Sequence, residues 1–232
     1  MEQLHDRPIL VEEAYRAILA AISDGRLTSG QRLQQEGLAE MLGVSRQPVS
    51  HALALLRQEG FVVEGAGTRG RKGVMVAPIS PAYVKSLYEV RAALDGTAAR
   101  LAAAAVRAGT ASAPLQIALS VALDRGELAL RQVDRTGLIE ADMDFHRALN
   151  RLSDNPVICE TAERQWGHVR RAMGAMLADA RQVRVAWEEH RAIAEAVLAG
   201  DAATAERVTR AHAERAGRET HRRLQALEPA DA

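Results

Sequence analysis

Apolar residues recur along this chain mostly at helical spacing. Ile9, Leu10, Ala14, Ile18 and Ile22 mark a first helix over 9–24, which Asp24-Gly25 ends. Leu38, Ala39 and Leu42 mark a second helix over 34–42, and the intervening RLTSGQRL is a short extended link turning at Ser29-Gly30. Gly43-Val44 makes a tight turn and Ser45 stands where an N-cap belongs. Val49, Ala52, Leu53 and Leu56 then fall at i, i+3, i+4 and i+7, the buried stripe of a third helix that tolerates Pro48 in its first turn. After Gly60 the period changes. FVVE and VMVAP are short β-branched runs on either side of the basic, glycine-rich GAGTRGRKG, which predicts a hairpin. From Ser80-Pro81 onward only helical patterns appear: to Arg107, over about 115–134 and 136–152, from the Asn155-Pro156 cap to about 179, over about 185–199, and from Asp201 to about 226. The predicted fold class is mainly α: an N-terminal winged helix-turn-helix over 1–78, then an all-α bundle of six or seven helices over 79–232.

At 232 residues, either half can bury a core. Aromatic residues are 3% of the chain and alanine and leucine abound, in keeping with helix. The 30 Lys and Arg balance the 30 Asp and Glu, so no bulk charge draws the chain to nucleic acid or membrane. Placement tells more. From Val44 to Val76, Arg46, Arg57, Arg69, Arg71 and Lys72 face only Glu59 and Glu64. Positive charge thus gathers on the third helix and the wing tip, where a winged helix meets DNA. Basic residues at the tip supply phosphate contact, and third-helix side chains in the major groove supply sequence choice. The candidate DNA contacts are Ser45, Arg46, Gln47, Ser50 and His51 on the helix and Thr68, Arg69 and Arg71 on the wing. The plain alternative is a basic hairpin beside an ordinary solvated helix. The single Cys159 excludes an intrachain disulfide or a cysteine-based zinc site and fits a reducing compartment. The N-terminal stretch breaks its apolar residues with Asp6, Arg7, Glu12 and Glu13, unlike a signal peptide, and LAAAAV at 101–106 is too short to cross a bilayer. A cytoplasmic protein without membrane contact is expected.

Several polar residues fall on inward faces. Arg91 shares a stripe with Leu87, Leu94, Ala98 and Leu101, so it needs an anionic partner: a carboxylate of the protein or one of a ligand held bidentately. Asp142 lies on the face of Leu138, Phe145, Leu149 and Leu152 with His146 beside it, and the i, i+4 spacing lets both reach one point. His190 shares a face with Ala186, Ile193 and Val197, and His212 with Ala205 and Val208. One such histidine is most often a hydrogen-bonded core residue. Three histidines and an aspartate together suit a divalent ion such as Zn, Mn, Ni or Fe, with positions left open.

Two stretches carry a family resemblance. GRLTSGQRLQQEGLAEMLGVSRQPVSHALALLRQEGFV resembles the DNA-binding head of GntR transcription regulators. Ser50 and His51 stand where that family often has Arg-Glu, and Gln35-Glu36 where many members have Glu-Arg, so the operator cannot be borrowed from relatives. LYEVRAALDGTAARLAA, DMDFHRALNRLSDNPVI and EEHRAIAEAVLAGDAATAERVTRAH resemble the FCD effector-binding domain of the FadR subgroup. The resemblance implies a metal held by Asp142, His146, His190 and His212. It also implies an effector carboxylate on Arg91, with Asn155 near the pocket, and an effector that is a small organic acid, sugar acid or amino acid. It further implies a homodimer on a pseudo-palindromic double-stranded operator. The expected function is a transcription regulator whose operator affinity answers to a carboxylate metabolite at the metal site. The alternatives are a metal-dependent enzyme acting on a small organic acid, and a regulator whose metal is structural or is itself the signal.

Overall fold

The computed structural model describes residues 7–66, 72–177 and 179–227. The chain divides into two compact units, Met1–Ile79 and Ser80–Ala232.

The first unit holds α1 (Arg7–Ser23), β1 (Arg32–Leu33), α2 (Gln35–Leu42), α3 (Arg46–Gln58), β2 (Val62–Ala66) and β3 (Lys72–Val76). α1 packs on α3, and the expected stripe of Val49, Ala52, Leu53 and Leu56 is fully buried against Ala14, Ile18, Ile22 and Phe61. Gly43 closes α2 at a φ of 65°, a left-handed conformation that glycine adopts without steric cost, and so sets up the turn into α3. Ser45 occupies the N-cap position of α3, but its hydroxyl makes no capping bond. β2 and β3 pair as the expected antiparallel hairpin, Val62 opposite Val76 and Glu64 opposite Val74. The extended link proves to be a third strand: β1 pairs with β3, Arg32 opposite Met75, and buries Leu33. The expected wing-tip contacts Thr68, Arg69 and Arg71 lie outside the described residues.

The second unit consists, among the described residues, of α4 (Pro81–Arg107), α5 (Ala113–Gln132), α6 (Arg135–Leu152), α7 (Pro156–Met176), α8 (Ala180–Leu198) and α9 (Ala202–Leu227). α4 and α9 pack along much of their length, α5 lies on α6, and α8 reaches α4, α5 and α9. Alanines at 99, 102, 103 and 205 let the helices approach closely around Leu119, Phe145, Leu149, Ile193 and Val197. Side-chain caps fix the helix starts: Ser80 accepts from the Tyr83 N–H, Asp134 from Gly137, Asn155 from Val157 and Ile158, and Asp179 from Arg181 and Gln182. The Asp179 cap starts α8 five residues earlier than the apolar spacing indicated, and α7 stops at Met176. Among the described residues no helix is long and apolar enough to cross a membrane.

Candidate metal centre and nucleic-acid interface

Four helices of the second unit deliver polar side chains to one place. α4 contributes Arg91 and Asp95, α6 contributes Asp142 and His146, α8 contributes Glu189 and His190, and α9 contributes His212 and Arg215. Ligand atoms of His146, His190 and His212 all lie within 4.8 Å of one another, and all three rings are buried. The Nε2 atoms of His190 and His212 are 3.2 Å apart, and Asp142 Oδ1 is 3.5 Å from His190 Nε2. The Phe145 ring stacks on His190 at 4.6 Å and Trp187 meets it edge-on at 4.7 Å, so the imidazole is clamped.

Both ring nitrogens of His146 and Nδ1 of His190 are buried with no hydrogen-bond partner among the described residues. Such an orphan costs about 1–3 kcal/mol, and an ion bound through one nitrogen of His146 would recover one of them. Metal–nitrogen bonds of about 2.0–2.1 Å in a tetrahedral site hold donors roughly 3.4 Å apart. The His190–His212 and His190–Asp142 separations, 3.2 and 3.5 Å, suit that requirement, and the His146 ligand atom stands within 4.8 Å of the other two histidines. Burial, then the charge of Arg91 and the neighbouring histidines, hold His146 well below its usual range. Burial, His212 and Arg91 do the same to His190. Both rings are therefore neutral, the form that ligates a metal.

Two partners behind the histidines lie outside the set singled out from the sequence. Glu189 accepts from His212 Nδ1 at 2.7 Å and is held by Arg215 at 2.5 and 2.6 Å. Burial alone would raise the Glu189 carboxyl, but the bonds from His212 and Arg215 keep it low. A carboxylate behind a histidine fixes its tautomer and leaves Nε2 pointed inward. The second partner is Asp95. Its Oδ2 takes Arg91 Nη2 at 3.2 Å and stands 3.5 Å from His146 Nδ1. Arg91 thus has its protein carboxylate one turn along α4, and its guanidinium also lies over the rings of Tyr88 and Trp166, at 5.1 and 5.3 Å. The i, i+4 pair was present in the sequence as a signal, once Arg91 was taken as buried.

A small cavity of about 50 Å³ opens onto this cluster. Tyr88, Arg91, Asp142, His146 and His212 line its polar end; Leu138, Met173, Leu177, Val183, Ala186, Trp187 and Ala216 form the rest. Arg91, Asp142 and the three histidines are therefore brought together. Asn155 is not among the residues lining the cavity: its Oδ1 caps α7, accepting at 3.0 and 3.2 Å.

On the first unit, Ser45, Arg46, Gln47 and His51 are exposed at the start of α3, and Ser50 is half-buried. Arg46 donates to Glu36 of α2 at 2.8 Å, and Arg57 to Glu64 of β2 at 2.7 Å. Both pairs are solvent-exposed, so each holds its arginine weakly.

Residues 10–76 match the family model "Bacterial regulatory proteins, gntR family", and residues 86–215 match the model "FCD domain". An HTH-type transcriptional regulator of Mycobacterium tuberculosis is 32% identical over 216 residues, 86% of this chain and 85% of that one. A second, from the TAR-I ttuE-ttuC' intergenic region of Agrobacterium vitis, is 34% identical over 143 residues, 60% of this chain and 78% of that one. Among solved structures, a GntR transcriptional regulator from Rhodococcus sp. RHA1 superposes with a TM-score of 0.75 at 22% identity, covering 94% of this chain and 99% of that one. E. coli McbR/YncC does so at 0.72 and 20% identity, covering 89% and 94%.

Proposed function

The chain belongs to the gntR family of bacterial regulatory proteins and carries an FCD domain behind its DNA-binding head, so it is a transcription regulator; we propose that a small carboxylate metabolite, held at a metal centre in the FCD domain, sets its affinity for the operator. The enzyme alternative falls with the family. The observation that carries the proposal is the clustering of three buried histidines, of which His146 and His212 line a cavity that Asp142 and Arg91 also line, with His190 packed directly behind. Asp142, His146, His190 and His212 would hold the ion, and Glu189 would orient His212. A divalent ion bound by these four, and expanding to five- or six-coordination, would supply Lewis acidity and an open position for a carboxylate oxygen. Arg91 lies within the same cavity to steady the acid, and the apolar wall excludes competing water.

Ser45, Arg46, Gln47, Ser50 and His51 would read the major groove, and the wing, with Thr68, Arg69 and Arg71, would contact phosphate. The regulator would act in the cytoplasm as a homodimer on a pseudo-palindromic operator. The acid shifts DNA affinity by its differential affinity for the DNA-bound and free arrangements. The Arg91–Asp95 pair favours a second reading, in which Arg91 serves the fold and metal occupancy alone is the signal.

Metal content of untagged protein, beside a His190→Ala/His212→Ala variant, tests the centre. About one ion per chain in the native protein and little in the variant is expected. Operator binding then separates the readings. An effect of carboxylic acids that needs both metal and Arg91 supports effector control, and a response to chelator alone supports the metal as signal. Full folding and DNA binding with no metal in either protein overturns both.

A further inference from the structure

We infer that the acid accepted by this cavity is a monocarboxylate with an aliphatic or aromatic tail, in preference to a hydroxyl-rich sugar acid or a dicarboxylate. The inference rests on the effector reading above and narrows it.

The cavity is polar at one end only. Beyond Tyr88, Arg91, Asp142, His146 and His212, its wall is apolar save for the Met173 sulfur and the Trp187 indole N–H: Leu138, Met173, Leu177, Val183 and the large Trp187. No Ser, Thr, Asn, Gln or Lys lines it among the described residues. The Tyr88 hydroxyl, the nearest candidate to meet a ligand hydroxyl, is already engaged by Thr220 and Arg91. A sugar acid carries a hydroxyl on nearly every carbon. Each one buried against this wall without a partner lowers affinity roughly tenfold. An apolar tail gains instead, about fourfold for each methylene removed from water.

Charge points the same way. Arg91 is paired with Asp95, and Arg215 with Glu189, so those four cancel. Asp142 remains, beside three histidines. A divalent ion there leaves one positive charge, which one carboxylate neutralises. A second carboxylate would lie against Leu138, Val183 or Trp187, away from Arg91, the one cation among the described cavity-lining residues, which Asp95 already holds.

Three six-carbon acids test this directly: hexanoate, gluconate and adipate, with acetate and butanoate as shorter probes. Binding is measured on the full chain, in the metal form in which it purifies and again zinc-loaded, by calorimetry and by tryptophan fluorescence, since Trp187 lines the cavity. Hexanoate is expected to bind at least about tenfold more tightly than gluconate or adipate. Affinity is expected to climb about fourfold per methylene from acetate to hexanoate. Val183→Thr, which puts a hydroxyl on the wall, should weaken hexanoate by roughly fivefold; Val183 is buried, so the melting temperature falls too, and affinity is compared at a temperature where both proteins are folded. Tighter binding of gluconate or adipate, or no dependence on chain length, with binding still lost in His190→Gln, overturns the ligand class and leaves the site standing. Absence of binding by all five acids, or binding that His190→Gln leaves unchanged, overturns the site reading and the class with it.

Discussion

His190 is fully buried, neutral and clamped between Phe145 and Trp187. Its folded pKa lies well below the ordinary value because burial, His212 and Arg91 all penalise the proton. A depressed folded pKa contributes stability that is present above the unfolded value, near about 6.5, and is lost as pH falls below it. In chelator, the stability margin of the native protein over His190→Gln should therefore shrink on acidification from about pH 7.5 to about pH 5.5. The slope is at most about 1.4 kcal/mol per unit. Denaturant midpoints across that range measure it, and a constant or widening margin would contradict a neutral, buried ring. Arg91 and Asp95 form the other buried unit, their side chains 8% and 4% exposed. Burial works against the guanidinium's charge, but Asp95, Tyr88 and Asp142 more than compensate and raise its pKa. Asp95→Ala removes the nearest carboxylate from a largely desolvated charge. A loss of roughly 3–5 kcal/mol in unfolding free energy is expected.

Two helix positions carry consequences beyond themselves. Gly126 of α5 lies against Trp187 so closely that a β-carbon there would sit 1.8 Å from the indole ring. Gly126→Ala must push Trp187 off its place in the cavity wall, at a cost of roughly 1–3 kcal/mol. A changed tryptophan emission together with a lowered melting temperature would report it. Val133 ends α5 in the left-handed region at a φ of 57°, although it is β-branched and 79% exposed. Val133→Gly relieves that strain and should stabilise the protein by about 1 kcal/mol, read from the same melting curves. On the DNA-binding unit, α2 restrains α3 through Glu36 and Arg46. Glu36→Gln removes a negative charge and frees the guanidinium, so operator affinity should rise by about two- to fivefold at low salt, with the gain fading as salt increases. Fluorescence anisotropy at two ionic strengths distinguishes this from a change in fold.

At the scale of the molecule, a metal that binds the folded helical unit and not the unfolded chain stabilises it by mass action. The gain is about 2.7 kcal/mol at a hundredfold excess over Kd. Added metal should therefore raise the unfolding transition of the FCD domain and slow amide exchange in α6, α8 and α9. Chelator should reverse both, and the His190→Ala/His212→Ala variant should show neither.

Local chemistry made most of the elements readable in advance. Stripes at 3.6 spacing, Ser80-Pro81, Asn155-Pro156 and the glycine punctuation specify where helices run, because capping and periodic burial act over a few residues. The hairpin was readable for the same reason. The elements that escaped were β1, a two-residue strand that exists only because β3 offers it an edge, and the early start of α8, which a single capping aspartate fixes without any apolar signal. The inward placement of Arg91, Asp142, His146, His190 and His212 was likewise written in periodicity. Which face of a helix is buried is a local property; what lies across from it is not. Only the packing of α4, α6, α8 and α9 decided that the three histidines converge within 4.8 Å, that Asp95 takes Arg91, that Glu189 stands behind His212, and that Asn155 caps a helix away from the cavity wall. Those distances depend on how closely helices far apart in the chain approach, and that is set by side-chain volumes summed over the whole core.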